Sequence, residues 1–556
     1  MRKLLALLTA LCLCFAAPCA AVKAETASAV QTADGTLRVW LQSLGAVKAL
    51  GLTLEGAYTV EGDRGFRFEP GTEIKLGADG GSIALEVGGA TIDMGGGFTL
   101  IRHLSADGTA GGAYIHESEK DTLYCGDLVF SLRQDGCLRV IVNMQIEDYL
   151  YGVVPYEMSD TFPLEALKAQ AVTARTYAMQ RAARRAAQEY DVCDTTDDQV
   201  FKGLDARFEL PIQAVDETRG LVGMYKGGYA ECFYSASNGG QTALATDVWG
   251  AGDYGYLDMR DDPYDLENPE SLVKTAAVPQ NAREMNAGLY NLLTQQAGEQ
   301  LFRKNELMAG EAVGLFEVQN IEAVNPIYGG DSRQYGVIRF TVTAGVRRFT
   351  GPATAGVQQL GEVEMLKEPL TLELDFYDQV RGTLGLALNS GKSELVTVEK
   401  TKDGFVLSSR RYGHGVGMSQ RGAQRMAGVY GKTCEEILAF YYPGVEWVTL
   451  QWQDAGLTQI DALPESLGYA KPRPTPAPTP APLPALSKGE YYAAVTVAGV
   501  DSTLNVRREP STQSEILGVL RNGQRLIVEA ETEDGWAKMK TAELEGYVML
   551  SFIVKE

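Results

Sequence analysis

Ile146–Gln188 reads IEDYLYGVVPYEMSDTFPLEALKAQAVTARTYAMQRAARRAAQ, and the rest of the chain is organised around it. Its second half has the marks of one helix over 163–188. Asp160 or Thr161 is placed to cap it, Pro163 suits a first turn, and Glu165 complements the positive end of the dipole. Leu164, Leu167, Ala171, Ala174 and Ala178 recur at helical spacing on one face. Most of that face is alanine, so a neighbouring backbone can approach closely. The first half gathers Tyr149, Tyr151, Val153, Val154 and Tyr156 ahead of one carboxylate, Glu157. A glutamate in so apolar a setting, at the mouth of a helix, is a candidate acid with a raised pKa. The competing reading is a solvated cap or turn residue.

Upstream, residues 36–142 alternate in short runs broken by glycine, among them LRVWLQS, SIALEVGG and CLRVIVN. These predict strands and hairpins, with Asp135-Gly136 a tight turn. Downstream, about 270–400 mixes a helical stretch, AREMNAGLYNLLTQQAGEQLF, with strands in GLFEVQNIEAV, YGVIRFTVTAG and LTLELDFY. Thr433 and Glu436 form a capping box for a helix that Pro443-Gly444 stops. Lys471–Pro484, KPRPTPAPTPAPLP, excludes helix and sheet and reads as an extended linker. Beyond it lie short strands, turns at Asn522-Gly523 and Asp534-Gly535, Trp536 and Gly546-Tyr547-Val548, the pattern of a small barrel. The expected class is α+β. A β-rich main domain with a few helices spans 25–462, a linker 463–488, and a small all-β domain 489–556. The core motifs fall at 146–254 and 410–447.

The 556 residues carry a net charge of −22, with 45% apolar and 22% charged positions. Nucleic acid needs Lys and Arg to neutralise phosphates, so it is excluded as a partner. Bulk charge also opposes docking on anionic polymers, while a neutral sugar chain remains suitable. Met1–Ala24, with Arg2 and Lys3 ahead of an apolar run, is a targeting segment. The run Leu4–Val22 is almost long enough to span a bilayer, so an uncleaved anchor is the alternative to cleavage. Either way the protein is expected to be exported. Five cysteines follow that segment, Cys125, Cys137, Cys193, Cys232 and Cys434, an odd count whose pairing spacing does not reveal.

Two stretches invite misreading. Ser235 in ECFYSASNGG lacks the G-x-S-x-G elbow of a serine hydrolase. Gly413, Gly415 and Gly417 in YGHGVGMSQRGA lack the lysine and the strand-helix context of a phosphate loop. Glycines here let the backbone approach another segment, and His414 and Gln420 are the polar groups held at that approach, a structural His414 bonded within the loop being the alternative.

GVVPYEM followed by FPLEALKAQAVTARTYA, together with Tyr412–Ala423, resembles the two signatures of the stage II sporulation protein D (SpoIID/LytB) family. The resemblance implies a lytic transglycosylase that cleaves peptidoglycan glycan strands, preferring glycan stripped of stem peptides, with Glu157 as the single catalytic acid. Glu231–Gly250 resembles the family's next motif, which places it at the edge of the substrate groove, with Ser235, Ser237, Gln241, His414 and Gln420 as substrate-binding groups. Trp249 and Tyr254 are sugar-stacking candidates by residue type, with a place in the core the alternative. Arg381 falls in a weaker family pattern. Relatives hold zinc with extra His and Cys near Tyr190–Gly203. This chain keeps Cys193 but has Asp197 and Asp198 in their place, so no metal or other cofactor is expected. LNVR-x-x-PST, GW and GYV resemble the bacterial SH3 domain, a wall-binding module. Some family members are described as enhancers of wall amidases, which makes an amidase a candidate partner and a non-catalytic role the alternative.

Overall fold

The computed structural model describes residues 32–116, 122–250, 254–351, 357–453, 456–459, 486–496, 503–521, 524–532, 534–541 and 544–555. The targeting segment, the proline-rich run and the Asn522-Gly523 turn lie outside them. The chain divides into two units, Met1–Leu467 and Gly468–Glu556.

The alternation that marks the lead-in as strands also dictates how it packs. One sheet contains Thr36–Trp40, Leu138–Gln145, Asp127–Leu132, Gly97–His103, Ala57–Val60 and Asp63–Phe68. A second contains Ala113–Ile115, Ala49–Leu54, Thr72–Asp79, Ser82–Val87 and Ala90–Asp93. Every second residue points inward, so Leu37, Val39, Leu52, Leu54, Leu76, Leu85, Val140 and Val142 share one core. The Asp135-Gly136 turn forms as expected, with Gly136 at φ +73 joining two antiparallel strands.

The central helix runs Leu164–Arg184, shorter than its expected end at Gln188. Neither Asp160 nor Thr161 caps it. Pro163 is the N-cap, extended at ψ 142, and its carbonyl accepts from the Ala166 and Leu167 amides. A proline disfavours helical backbone at the residue before it, which keeps the start from moving toward Asp160. The helix is buried around most of its circumference rather than on one face. Its polar residues therefore need internal partners. Arg175 pairs with Glu147 at 2.7 Å, both side chains almost wholly enclosed.

Residues 274–407 build a second core within the first unit. Helix Ala287–Arg303 turns Leu289, Leu293, Ala297 and Leu301 onto the long hairpin of Ala312–Pro326 and Tyr335–Arg347. The chain then returns to the first core through helices Gln420–Gly428 and Cys434–Tyr441, the latter with its Thr433/Glu436 capping box in place. In the second unit, Tyr491–Val495, Thr503–Arg507, Ile516–Arg521, Arg525–Glu531, Trp536–Lys540, Glu545–Met549 and Ile553–Lys555 form one antiparallel sheet. Its core is Ala493, Val495, Leu504, Val506, Leu526, Val528, Met539 and Val548. The α+β class, with a separate small all-β part, is what the sequence led us to expect.

Candidate active site

Glu157 closes a one-turn helix, Val154–Glu157, in which Pro155 occupies the first turn. Met158 is extended, so the turn stops there and the central helix begins separately. The carboxyl is therefore held by other groups than the central helix dipole. The Val200 amide donates to its Oε1 at 3.0 Å, and the Tyr234 and Gln420 side chains stand near it as further donor groups. Glu157 is half-buried and opens on a cavity of about 550 Å³. Desolvation raises its pKa above the usual carboxylate range, and the donor groups of Val200, Tyr234 and Gln420 oppose that rise without cancelling it.

The opposite wall is built where the two distant motifs meet. Tyr234–Ser235 pairs in parallel with Met418–Ser419, which sets Tyr234 and Gln420 beside Glu157. The glycines make that approach possible. Gly417 has φ +69, and a Cβ there would lie 2.0 Å from the Phe233 carbonyl oxygen. Gly413, at φ +108, would bring its Cβ within 2.8 Å of Ser235 Cβ.

Gln420 joins Glu157 and also donates to Gln170 Oε1 at 3.3 Å. His414 lines the cavity, but as a fixed neutral ring. Its Nδ1 accepts from the Val416 amide at 3.0 Å, its other bond goes to the Tyr234 backbone, and burial pushes its pKa down to about 4. Three of the expected substrate-binding residues lie elsewhere. The Ser235 hydroxyl accepts from the Gly415 amide at 3.3 Å, and Ser237, 1% exposed, donates to Asp265 at 2.8 Å. Gln241 bonds the Asp331 carbonyl and the Arg333 amide. All three brace the groove's framework, because a turn this enclosed must satisfy its polar groups internally. Arg381 pairs with Glu394 at 2.9 Å in the second core, away from the cavity lining.

Aromatic rings form much of the lining. Trp249, 46% exposed, lies 4.4 Å from Phe233 and 5.0 Å from His414 between ring centroids, and Tyr254 lies 6.0 Å from Phe233. The other carboxylates of the lining differ from Glu157. Asp198 is paired with Arg185 at 2.8 Å and Glu231 with Arg184 at 2.9 Å, while Asp197 is exposed. The residues of the stretch where the family resemblance implied zinc ligands do not fit that metal. Asp198 is committed to Arg185 and the Cys193 amide, and burial pushes the Cys193 thiol up to about 11, away from the thiolate that zinc takes. All five cysteines in the described residues are free and buried.

Sequence reasoning missed Tyr234, Phe233, Gln199, Val200 and Arg181. Strand alternation points Tyr234 to the groove only once Ser235 is known to face the framework, a direction the folded chain alone reveals. The Gln199–Val200 loop has no periodicity to read.

A family model described as stage II sporulation protein (SpoIID) matches residues 134–225, and one for the bacterial SH3 domain matches 502–553. An uncharacterized protein of Brachyspira hyodysenteriae is 32% identical over 326 residues, covering 58% of this chain and 72% of that protein. The amidase enhancer of Bacillus subtilis is 29% identical over 314 residues, 53% of this chain and 39% of its own length. The stage II sporulation protein D of Bacillus subtilis is 26% identical over 321 residues, covering 55% and 75%. With both signature motifs at one cavity, this chain belongs to the stage II sporulation protein D family and carries a C-terminal bacterial SH3 domain.

Proposed function

We propose that this protein acts on the bacterial cell wall as a peptidoglycan lytic transglycosylase. The observation that carries the reading is Glu157, a desolvated carboxyl open to a cavity in which Asp198 and Glu231 are committed to arginines and Asp197 lies in solvent. Hydrolytic glycosidases need two working carboxylates. A transglycosylase needs one. Protonated Glu157 gives its proton to the glycosidic oxygen between N-acetylmuramic acid and N-acetylglucosamine as that bond breaks. The muramic 6-hydroxyl attacks the anomeric carbon, closing a 1,6-anhydro ring, and its proton returns to Glu157. No water is consumed. The exposed Trp249 and the rings beside it suit the apolar face of a sugar.

The test is mass spectrometry of stem-less glycan strands after incubation with the full chain. New 1,6-anhydro ends are expected, and hydrolysed reducing ends alone would refute the reaction. The Bacillus subtilis relative named amidase enhancer supports a second reading, a wall-binding partner of an amidase, and absence of any product would favour it. Export and wall retention through the SH3 domain are part of the same proposal. No helix of the described residues is long and apolar enough to cross a membrane. Truncation after Ala462 should weaken sedimentation with sacculi while sparing turnover of short soluble glycans. Equal loss of both would make the two parts one functional unit.

A further inference from the structure

A general acid must present its proton at a defined oxygen, and a chain of enclosed groups stands behind Glu157. Tyr149, fully buried, donates its hydroxyl to Gln199 Oε1 at 3.3 Å. The Gln199 oxygen being the acceptor, its amide nitrogen faces the other way. It donates to the Tyr234 hydroxyl at 3.0 Å and to the Ala174 carbonyl at 3.4 Å. A phenol that accepts from an amide sends its own proton elsewhere. The Tyr234 hydroxyl shares the cavity lining with the Glu157 carboxyl, which in its ionised form only accepts, and it acts on that carboxyl as a donor that lowers its pKa.

We propose that Gln199 is a positioning residue for Glu157: by donating to the Tyr234 hydroxyl, it fixes the direction in which that hydroxyl donates, onto the carboxyl. The proposal rests on Glu157 being the acid. Gln199 is 1% exposed and touches no cavity surface, so its influence runs through Tyr234. The remaining groups that face Glu157 are accounted for. Asp198 and Glu231 are paired with Arg185 and Arg184, Asp197 is exposed, and Arg181 donates to the Tyr177 hydroxyl at 2.9 Å. Tyr177 is pushed up to about 12 and His414 down to about 4, and burial raises Tyr149 as well.

Removing a donor from a carboxylate raises its pKa, and an acid works only while protonated, so the high-pH limb of turnover should move upward. Tyr234→Phe should shift that limb by roughly one pH unit. Gln199→Leu should shift it the same way. Gln199→Glu, which turns the donor into an acceptor and draws the Tyr234 proton away from Glu157, should do so as well. In the Tyr234→Phe background, Gln199→Leu should add nothing, because its route is already cut. Additive shifts, or an unmoved limb in Gln199→Leu, would overturn the proposal. If Gln199→Leu does not fold, Tyr234→Phe and Gln199→Glu carry the same test. Carbon-13 NMR titration of the Glu157 carboxyl, assigned by its loss in Glu157→Gln, reads the same shift without catalysis. A shift by NMR with no anhydro product would retain the positioning role and reject the reaction. Anhydro product with an unshifted carboxyl would do the reverse.

Discussion

Two sets of buried carboxylates are contacted by one stretch, Tyr234 to Asn238, and they come to opposite ends. Tyr234 reaches Glu157, while Ser237 and Asn238 reach Asp265 and Asp262. Burial raises the pKa of both Glu157 and Asp262, so that direction alone does not tell them apart. Saturation does. Asp265 accepts from Ser237, Ser271, Ser419 and the Asn238 amide at 2.5 to 2.8 Å. Asp262 accepts from Asn238, Tyr441 and the Asp265 amide. Both are fully enclosed. Glu157 also has three donors, yet it keeps a face on the cavity. A buried acid with every side filled is a brace; one with a side open is available for chemistry.

The comparison can be broken most directly at Glu157. Glu157→Gln keeps the shape and removes the transferable proton, so formation of 1,6-anhydro ends should fall by roughly 10²–10⁴-fold with glycan binding intact. Wild-type turnover in that variant would put the chemistry elsewhere. Asp265→Ala should act on stability instead. It strands Ser237, Ser271, Ser419 and the Asn238 amide, each at roughly 1–3 kcal/mol, less what the hydroxyls recover by turning. A loss of about 4 kcal/mol in denaturant unfolding is expected, and unchanged stability would remove the brace from the account.

Ser237→Ala sharpens the division at one residue. It should cost about 1 kcal/mol of stability and leave turnover per folded molecule unchanged. Lost turnover at full stability would return Ser237 to the groove. The smallest effect concerns pH. Glu157 has a folded pKa raised above its unfolded value, so the stability its neutral form contributes is present at low pH and lost as pH rises through the folded pKa. Glu157→Gln cannot ionise. Its unfolding free energy should match wild type near pH 4 and exceed it near pH 8. A wild type that is the more stable of the two at pH 8 would mean the carboxylate is better solvated than its setting implies.

Periodicity, turn chemistry and two motifs determined much on their own: the strand-rich lead-in, the central helix, the helix Ala287–Arg303, the capping box at Thr433 and the small β domain. These are local signals, written in spacings of two and of three to four residues. The same reading singled out Glu157, whose apolar neighbours and carboxylate lie together in the chain. Where Ser235, Ser237, Gln241, His414 and Gln420 point was decided only by the tertiary structure. His414 Nδ1 is held by Val416 two residues on, but the other four meet their partners across a long stretch of chain: Ser235 with Gly415, Ser237 with Asp265, Gln241 with Arg333, Gln420 with Gln170. Gln199 and Val200 gain their roles in the same way, through contact with Tyr234 and Glu157. A polar side chain in a loop has no periodic neighbour to declare its direction. Burial and the need to satisfy every enclosed donor set that direction, and both come into being only when distant segments close on one another.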